Sequence, residues 1–208
     1  MNVYSVADKA IKVMNRKNLR AFNGLKLAKW DEANIVREVS TVYDSSARDA
    51  QRRYLDIAID AYVTAMLSAG QNGKKARRKA MDDITDDWVL AMLEEADPVT
   101  LYAFLPEKDR KKARLIETLS AAQNRNEEID KALRFWTLQV GQYAINSVDR
   151  ARLEAFYDAG VTKVMWNAEK DEKTCEICRE RDGKVYAIED APSKPHLNCR
   201  CWYSPVLD

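Results

Sequence analysis

Along the first three quarters of the chain, apolar residues recur at steps of three and four, the spacing that keeps one stripe on one face of an α-helix. Val3, Val6, Ala10, Val13 and Met14, extended by Leu19 and Phe22, predict a first helix over residues 3–22 that ends at Asn23-Gly24. From Leu27 to about Ala69 the stripe continues at positions 36, 39, 43, 47, 50, 54, 57, 61 and 65, with no proline or glycine to interrupt it. Unbroken, that segment would extend about 65 Å at 1.5 Å per residue. Such a helix either supports others along a bundle or projects outward to meet a partner.

Gly70-Gln-Asn-Gly73 ends the long segment, and a third helix carrying Trp88, Leu90, Ala91 and Leu93 stops before Asp97-Pro98. Val99 to Leu105, closed by Pro106, reads as a connector. From Glu107 the helical pattern returns, with a break near Asn124-Arg-Asn126, and runs to Ala159-Gly160 on an apolar face of residues 129, 133, 136, 140, 143, 144, 148 and 151. Gly160 stands where a helix C-cap wants positive φ. Val161 to Trp166 then alternates as a strand does. The pattern divides the chain into an α-helical body over 1–160 and a small β-containing module over 161–208.

Composition adds little to that picture. The 208 residues are 46% hydrophobic and 32% charged with a net charge of +1, enough apolar content for a core and too little charge to name a partner. No apolar run approaches the roughly 18 residues that span a bilayer, so no membrane partner is expected. Two basic clusters, Lys74 to Lys79 and Lys108 to Arg114, are potential phosphate contacts. The bland alternative is solvated helix faces paired with nearby acids such as Asp82, Asp83, Asp86 and Asp87. Tryptophans and tyrosines inside the helices are expected in the core rather than on a base-stacking surface.

Candidate chemistry is confined to the last fifth. All four cysteines and the single histidine fall between positions 175 and 201, as Cys175-Glu-Ile-Cys178, seventeen residues, then His196-Leu-Asn-Cys199-Arg-Cys201. Two close ligand pairs separated by a loop match what tetrahedral zinc takes from thiolate sulfur and imidazole nitrogen. Asp182-Gly183 supplies a turn, and Lys184 to Ile188 suits a short strand, so the window reads as knuckle, hairpin, second knuckle and closing strand. Two disulfides or free thiols are the alternatives; the N-terminus carries no secretory pattern that would favour disulfides. The expectation is one structural zinc, four of whose ligands come from Cys175, Cys178, His196, Cys199 and Cys201. His196 and Cys201 compete for the fourth place.

These residues, with Ala144-Ile-Asn-Ser-Val-Asp-Arg150, Ala159-Gly-Val161, Val164-Met-Trp166, Asp171-Glu-Lys-Thr-Cys175 and Asp182-Gly-Lys184, resemble the head-morphogenesis domain of tailed bacteriophages, the Mu F-like family of minor head proteins. The resemblance covers about residues 144–205. Leu197 replaces the usual proline and Lys173 the usual arginine. It implies a mainly α-helical protein, a long-helix body followed by a small zinc-stabilised α+β module. It also implies a virion structural role: a minor head component in several copies, associated with the portal or major capsid protein, acting in head assembly or DNA delivery, with possible contact with packaged DNA. Its place would be the phage head, reached from the host cytoplasm during assembly.

Enzymatic use of the metal is not expected. A nucleobase deaminase needs a glutamate two residues after its histidine, where this chain has Asn198, and no second histidine is present to act as base. A zinc-dependent nucleic-acid-binding module is the competing function. Against it, residues 161–208 hold eight basic and nine acidic side chains.

Overall fold

The computed structural model describes residues 3–28, 31–172 and 174–207. Trp30 and Lys173 lie outside the described residues. Six helices form the body: α1 (Ser5–Lys26), α2 (Glu32–Ser68), α3 (Gly73–Asp83), α4 (Asp86–Glu94), α5 (Phe104–Ala121) and α6 (Arg125–Asp158). The C-terminal part contributes β1 (Lys163–Asn167), α7 (Glu176–Arg181), β2 (Val185–Ala187) and β3 (Trp202–Pro205), with a 3-10 turn at Ile188–Asp190. The protein is thus mainly helical with a small C-terminal sheet.

The long helix of the body starts later than its pattern suggests. Asp31 caps α2 by accepting the Asn34 amide at 2.9 Å, so the helix runs 37 residues, about 55 Å. Its buried stripe begins at Ile35 rather than Val36, which is exposed, and continues through Val39, Tyr43, Ala47, Ala50, Tyr54, Ile57, Ala61 and Ala65. The stripe supports a bundle: α6, nearly as long at 34 residues, lies along it, with α1, α3 and α5 covering further faces. The expectation of an outward projection therefore gives way, because the chain itself covers the stripe.

Three boundaries differ from the pattern for identifiable reasons. Helix α1 continues past Gly24 to Lys26, since burial of Phe22 and Leu25 outweighs the weak helix propensity of one glycine. The expected third helix is two, α3 and α4, separated where the Thr85 hydroxyl caps the Trp88 amide. Pro106 does not close a connector but sits in the first turn of α5, where its missing N–H has no carbonyl partner to lose. Elsewhere the sequence signals hold: Asn124 caps α6, and Gly160 at φ 75° ends it.

The centre of the body is aromatic. Trp136 is buried against Tyr43 (centroids 5.1 Å apart) and Phe104 (5.2 Å), with Tyr143 on the far side of Phe104 at 5.1 Å. The Trp136 indole N–H donates to Ser46 Oγ at 2.7 Å, and the Tyr54 hydroxyl to the Val140 carbonyl at 2.8 Å, so burial leaves these polar tips paired. Trp88 is half-buried and donates to Glu154.

The sheet is antiparallel in the order β2-β1-β3, with Val164 opposite Tyr186 and Pro205, and Trp166 opposite Tyr203. Trp166 is fully buried at its middle, edge-on to Tyr203 at 5.2 Å and with Arg181 and Lys194 over its ring. The module's apolar residues belong to the same core cluster as the helices.

Candidate metal centre

Each knuckle has a local cause. Asp171 and Thr174 form an interlocked turn, the Thr174 hydroxyl lying 3.0 Å from Asp171 Oδ1, which delivers Cys175 to the N-cap of α7. There Cys175 Sγ accepts the Cys178 amide at 3.4 Å, so the first helical turn places both sulfurs on one side. Gly183, at φ 75°, closes the hairpin by donating its amide to the Trp166 carbonyl at 2.9 Å. In the second knuckle Asn198 takes φ 55°, a conformation asparagine tolerates better than most residues, and the Cys199 amide turns back to the His196 carbonyl at 3.3 Å.

The structure brings all five predicted residues together. Cys175, Cys178 and His196 form one group with ligand atoms within 4.8 Å of one another; Cys178, Cys199 and Cys201 form a second. Cys178 belongs to both. Its sulfur is 3.5 Å from Cys199 Sγ and 3.9 Å from His196 Nε2. A tetrahedral ion with bonds of about 2.1–2.3 Å holds its ligand atoms about 3.6–3.8 Å apart, so these separations suit a shared metal. The four cysteines are free thiols.

The thiols perturb one another's acidity. Burial, then hydrogen bonds with Cys201 and Cys175, push the Cys178 thiol up to about 12. The bond with Cys201, then burial, pushes Cys199 up as well. Cys201 is pulled down to about 6, chiefly by its bond with Cys199. The thiol of Cys201 is thus the one whose ionisation its neighbours favour. The cluster could hold a metal ion.

Residues outside the cysteine window fasten the site to the body. Gln142, buried on α6, accepts the Asn198 amide on Oε1 at 2.6 Å; its Nε2 donates to Asp97 Oδ2 at 3.2 Å and Asn146 Oδ1 at 3.0 Å. Asn146 Nδ2 donates to the same Asp97 oxygen at 2.7 Å, while Asp97 Oδ1 accepts the amides of Val99 and Thr100. The second knuckle is therefore tied through α6 to the α4–α5 connector.

At the other end of the site, Tyr4 reaches in from the start of α1. Its Oη lies 2.7 Å from Asp149 Oδ1, 2.8 Å from the Cys201 carbonyl and 2.7 Å from Lys194 Nζ, and Lys194 also donates to that carbonyl. Burial pushes both the Tyr4 hydroxyl and the Asp149 carboxyl up, Lys194 opposing the shift on Asp149. Arg200 stacks over Tyr4 at 4.6 Å and pairs with Asp8. A cleft of about 420 Å³ opens beside the Asp149–Lys194 pair, walled by Met92, Pro98, Tyr143, Leu153 and Pro192.

None of Tyr4, Asp8, Asp97, Gln142 or Asn146 is apparent from the metal pattern. A signal exists for two of them: Gln142 and Asn146 are polar residues four apart within an apolar stretch of α6, which marks a second packed face.

The fold and site together define a class: a Cys/His double-knuckle module docked on a helical bundle. Residues 142–204 match the family described as Phage Mu protein F like protein, under a third of the chain, and the match starts at the glutamine that holds the knuckle. The C-terminal region thus carries the Mu F-like domain. An uncharacterized protein of Haemophilus influenzae is 36% identical over 56 residues, 24% of this chain and 12% of that protein, so the chain spans only a small part of its relative's length. No solved structure matches.

Proposed function

We propose that this chain is a minor head protein of a tailed bacteriophage, bound at the portal or inner capsid in several copies, with a structural rather than catalytic metal module. The observation that carries the reading is the coincidence of the Mu F-like match over 142–204 with five convergent thiol and imidazole ligands. Zinc is the ion that this donor set favours, since thiolate with imidazole selects it over oxygen-preferring cations. It would be held by Cys175, Cys178 and Cys199 with His196 or Cys201, and would fix the two knuckles to one point.

A structural role is supported by the surroundings. Cys178, Cys199 and Cys201 are buried and none of the five residues lines the open cleft, and the side chains around them serve as fasteners: Gln142 on Asn198, Tyr4 on the Cys201 carbonyl. No helix among the described residues is long and apolar enough to cross a membrane.

The test is quantitative mass spectrometry of purified particles, with metal analysis of the isolated chain. The reading expects the chain in virions at a fixed copy number below that of the major capsid protein. It expects about one zinc per chain, and loss of infectious particles when Cys178→Ser replaces the wild type. Absence of the chain from purified particles would refute the head-protein reading; a metal-free chain with native melting would refute the zinc.

A further inference from the structure

The two basic clusters, indistinguishable in sequence, are different objects in the fold. In the second, Lys108 and Lys112 both pair with Asp44 and Asp109, while Arg110 and Lys111 share Glu107; Arg114 alone has no ion pair among the described residues. That cluster spends its charge inside the protein. In the first, Lys79 pairs with Asp83 and Asp158, but Lys74, Lys75, Arg77 and Arg78 are exposed and make no ion pair among the described residues.

Geometry makes those four cations one surface. Helix α3 packs on α2 through Ala76 and Ala80, both fully buried, so the intervening residues are turned outward. Lys74 and Arg78 stand one turn apart, about 6 Å at 1.5 Å per residue, so their long side chains can reach neighbouring phosphates of one DNA strand. Asn72 accepts the amides of Lys74 and Lys75, so the helix's own positive end adds to the field while the side chains remain the contacting groups. Cations at this end are unfavourable for the helix unless an anion joins them. Asp82 is the one acid among the described residues lining the shallow surface that Lys74, Arg77 and Arg78 share.

We propose that the outer face of α3, through Lys74, Lys75, Arg77 and Arg78, binds the phosphate backbone of duplex DNA without reading its sequence. The choice of DNA among polyanions rests on the head-protein reading; the surface charge stands without it. A lipid surface is the poorer fit, because membrane-lying helices present an apolar face, and that face of α3 is already buried against α2, leaving Met81 as its one exposed large apolar residue. The zinc module plays no part, which separates this surface from a nucleic-acid-binding finger.

Fluorescence anisotropy of the purified full chain with a labelled duplex, at 50 to 200 mM salt, tests the idea. Four phosphate contacts predict an affinity loss of about 150-fold across that range, from a slope of about 0.9 per contact. Replacing all four residues (Lys74→Gln, Lys75→Gln, Arg77→Gln, Arg78→Gln) should cut the loss to less than about 3-fold, while Lys108→Gln with Lys112→Gln leaves it intact. If the quadruple variant does not fold, the pairs Lys74→Gln/Arg78→Gln and Lys75→Gln/Arg77→Gln must each halve the slope. Unchanged binding in these variants overturns the proposal, as does tighter binding to phosphatidylglycerol vesicles or polyglutamate than to DNA. Particle composition, which tests the head-protein reading, is independent of this result.

Discussion

Replacing Gln142 with leucine separates the second knuckle from the helical body while leaving every sulfur and the imidazole in place. The side chain is 1% exposed. Three contacts go: the acceptor for the Asn198 amide at 2.6 Å, and donors to Asp97 Oδ2 and Asn146 Oδ1. Asp97 keeps Asn146 and two backbone amides, so its loss is partial; the Asn198 amide loses the one partner described for it. An orphaned group costs about 1–3 kcal/mol, and leucine regains some of that as apolar burial, for a net destabilisation of about 1–2 kcal/mol. In a chain of this size that lowers Tm by about 2–8 °C, read by circular dichroism. Metal affinity should fall about 10- to 100-fold, as when a supporting group behind a ligand is removed. Gln142→Glu gives the pH signature: it keeps the acceptor but places a second carboxylate beside Asp97. Its folded pKa is raised, so the penalty is full at neutral pH and disappears as pH falls below about 4.3. A leucine variant that melts with the wild type and keeps its metal would show that α6 does not position the knuckle.

Other perturbations separate the remaining contributions. Cys178→Ser should lose metal completely, because Cys178 belongs to both ligand groups; between His196→Ala and Cys201→Ser, whichever keeps a full zinc equivalent with native melting identifies the bystander. Gly141→Ala should raise Tm by about 2–4 °C, since the new methyl meets Asn198 Oδ1 at 3.4 Å and the helix gains about 1 kcal/mol of propensity. Asp44 is pushed up by burial, but hydrogen bonds and charge from Lys108 and Lys112 outweigh this and hold it below its usual value. Its stabilising effect is therefore present at neutral pH and lost as pH falls through that lowered value. Asp44→Asn should cost about 0.5–1 kcal/mol at pH 7 and nothing in strong acid, by denaturant titration at both pH values. A chain ended after Gly160 should stay helical but melt lower, having lost Tyr203 as acceptor for Arg152 and Lys194 as partner for Asp149.

What could be read from the sequence follows from the range of the forces involved. The ends of α6, the knuckle spacing and the Asp182-Gly183 turn are local, set by caps, glycine conformation and short ligand separations, and they are where the pattern placed them. Where α1 stops, and whether residues 73–94 form one helix or two, depends on burial against α2, which a stripe of apolar positions cannot weigh. Val36 and Ile35 show the limit: adjacent apolar residues both fit a periodic pattern, and only packing decides which one faces inward. The site divides likewise. Its candidate ligands were legible because cysteine and histidine are rare in this chain, whereas Tyr4 and Asp97 lie 171 and 78 residues before Cys175 and carry no mark of their partnership.

That long-range fastening bears on how the module works. A structural ion fixes two knuckles to one point but does not orient that point relative to the helices. Gln142 does so from one side and Tyr4 from the other, through the Asn198 amide and the Cys201 carbonyl. Both bonds end on main-chain atoms within two residues of Cys199, so an ion held by the cluster would be coupled to docking: ordering the second knuckle presents the amide and carbonyl that the body grips. Conversely, a pre-formed grip lowers the entropy that the metal must overcome to gather its ligands. Melting of the metal-loaded and chelated chain should then differ for the body's own Trp136 signal as well as for Trp166. A Trp136 environment indifferent to chelation would mean that the two parts fold independently despite their shared core.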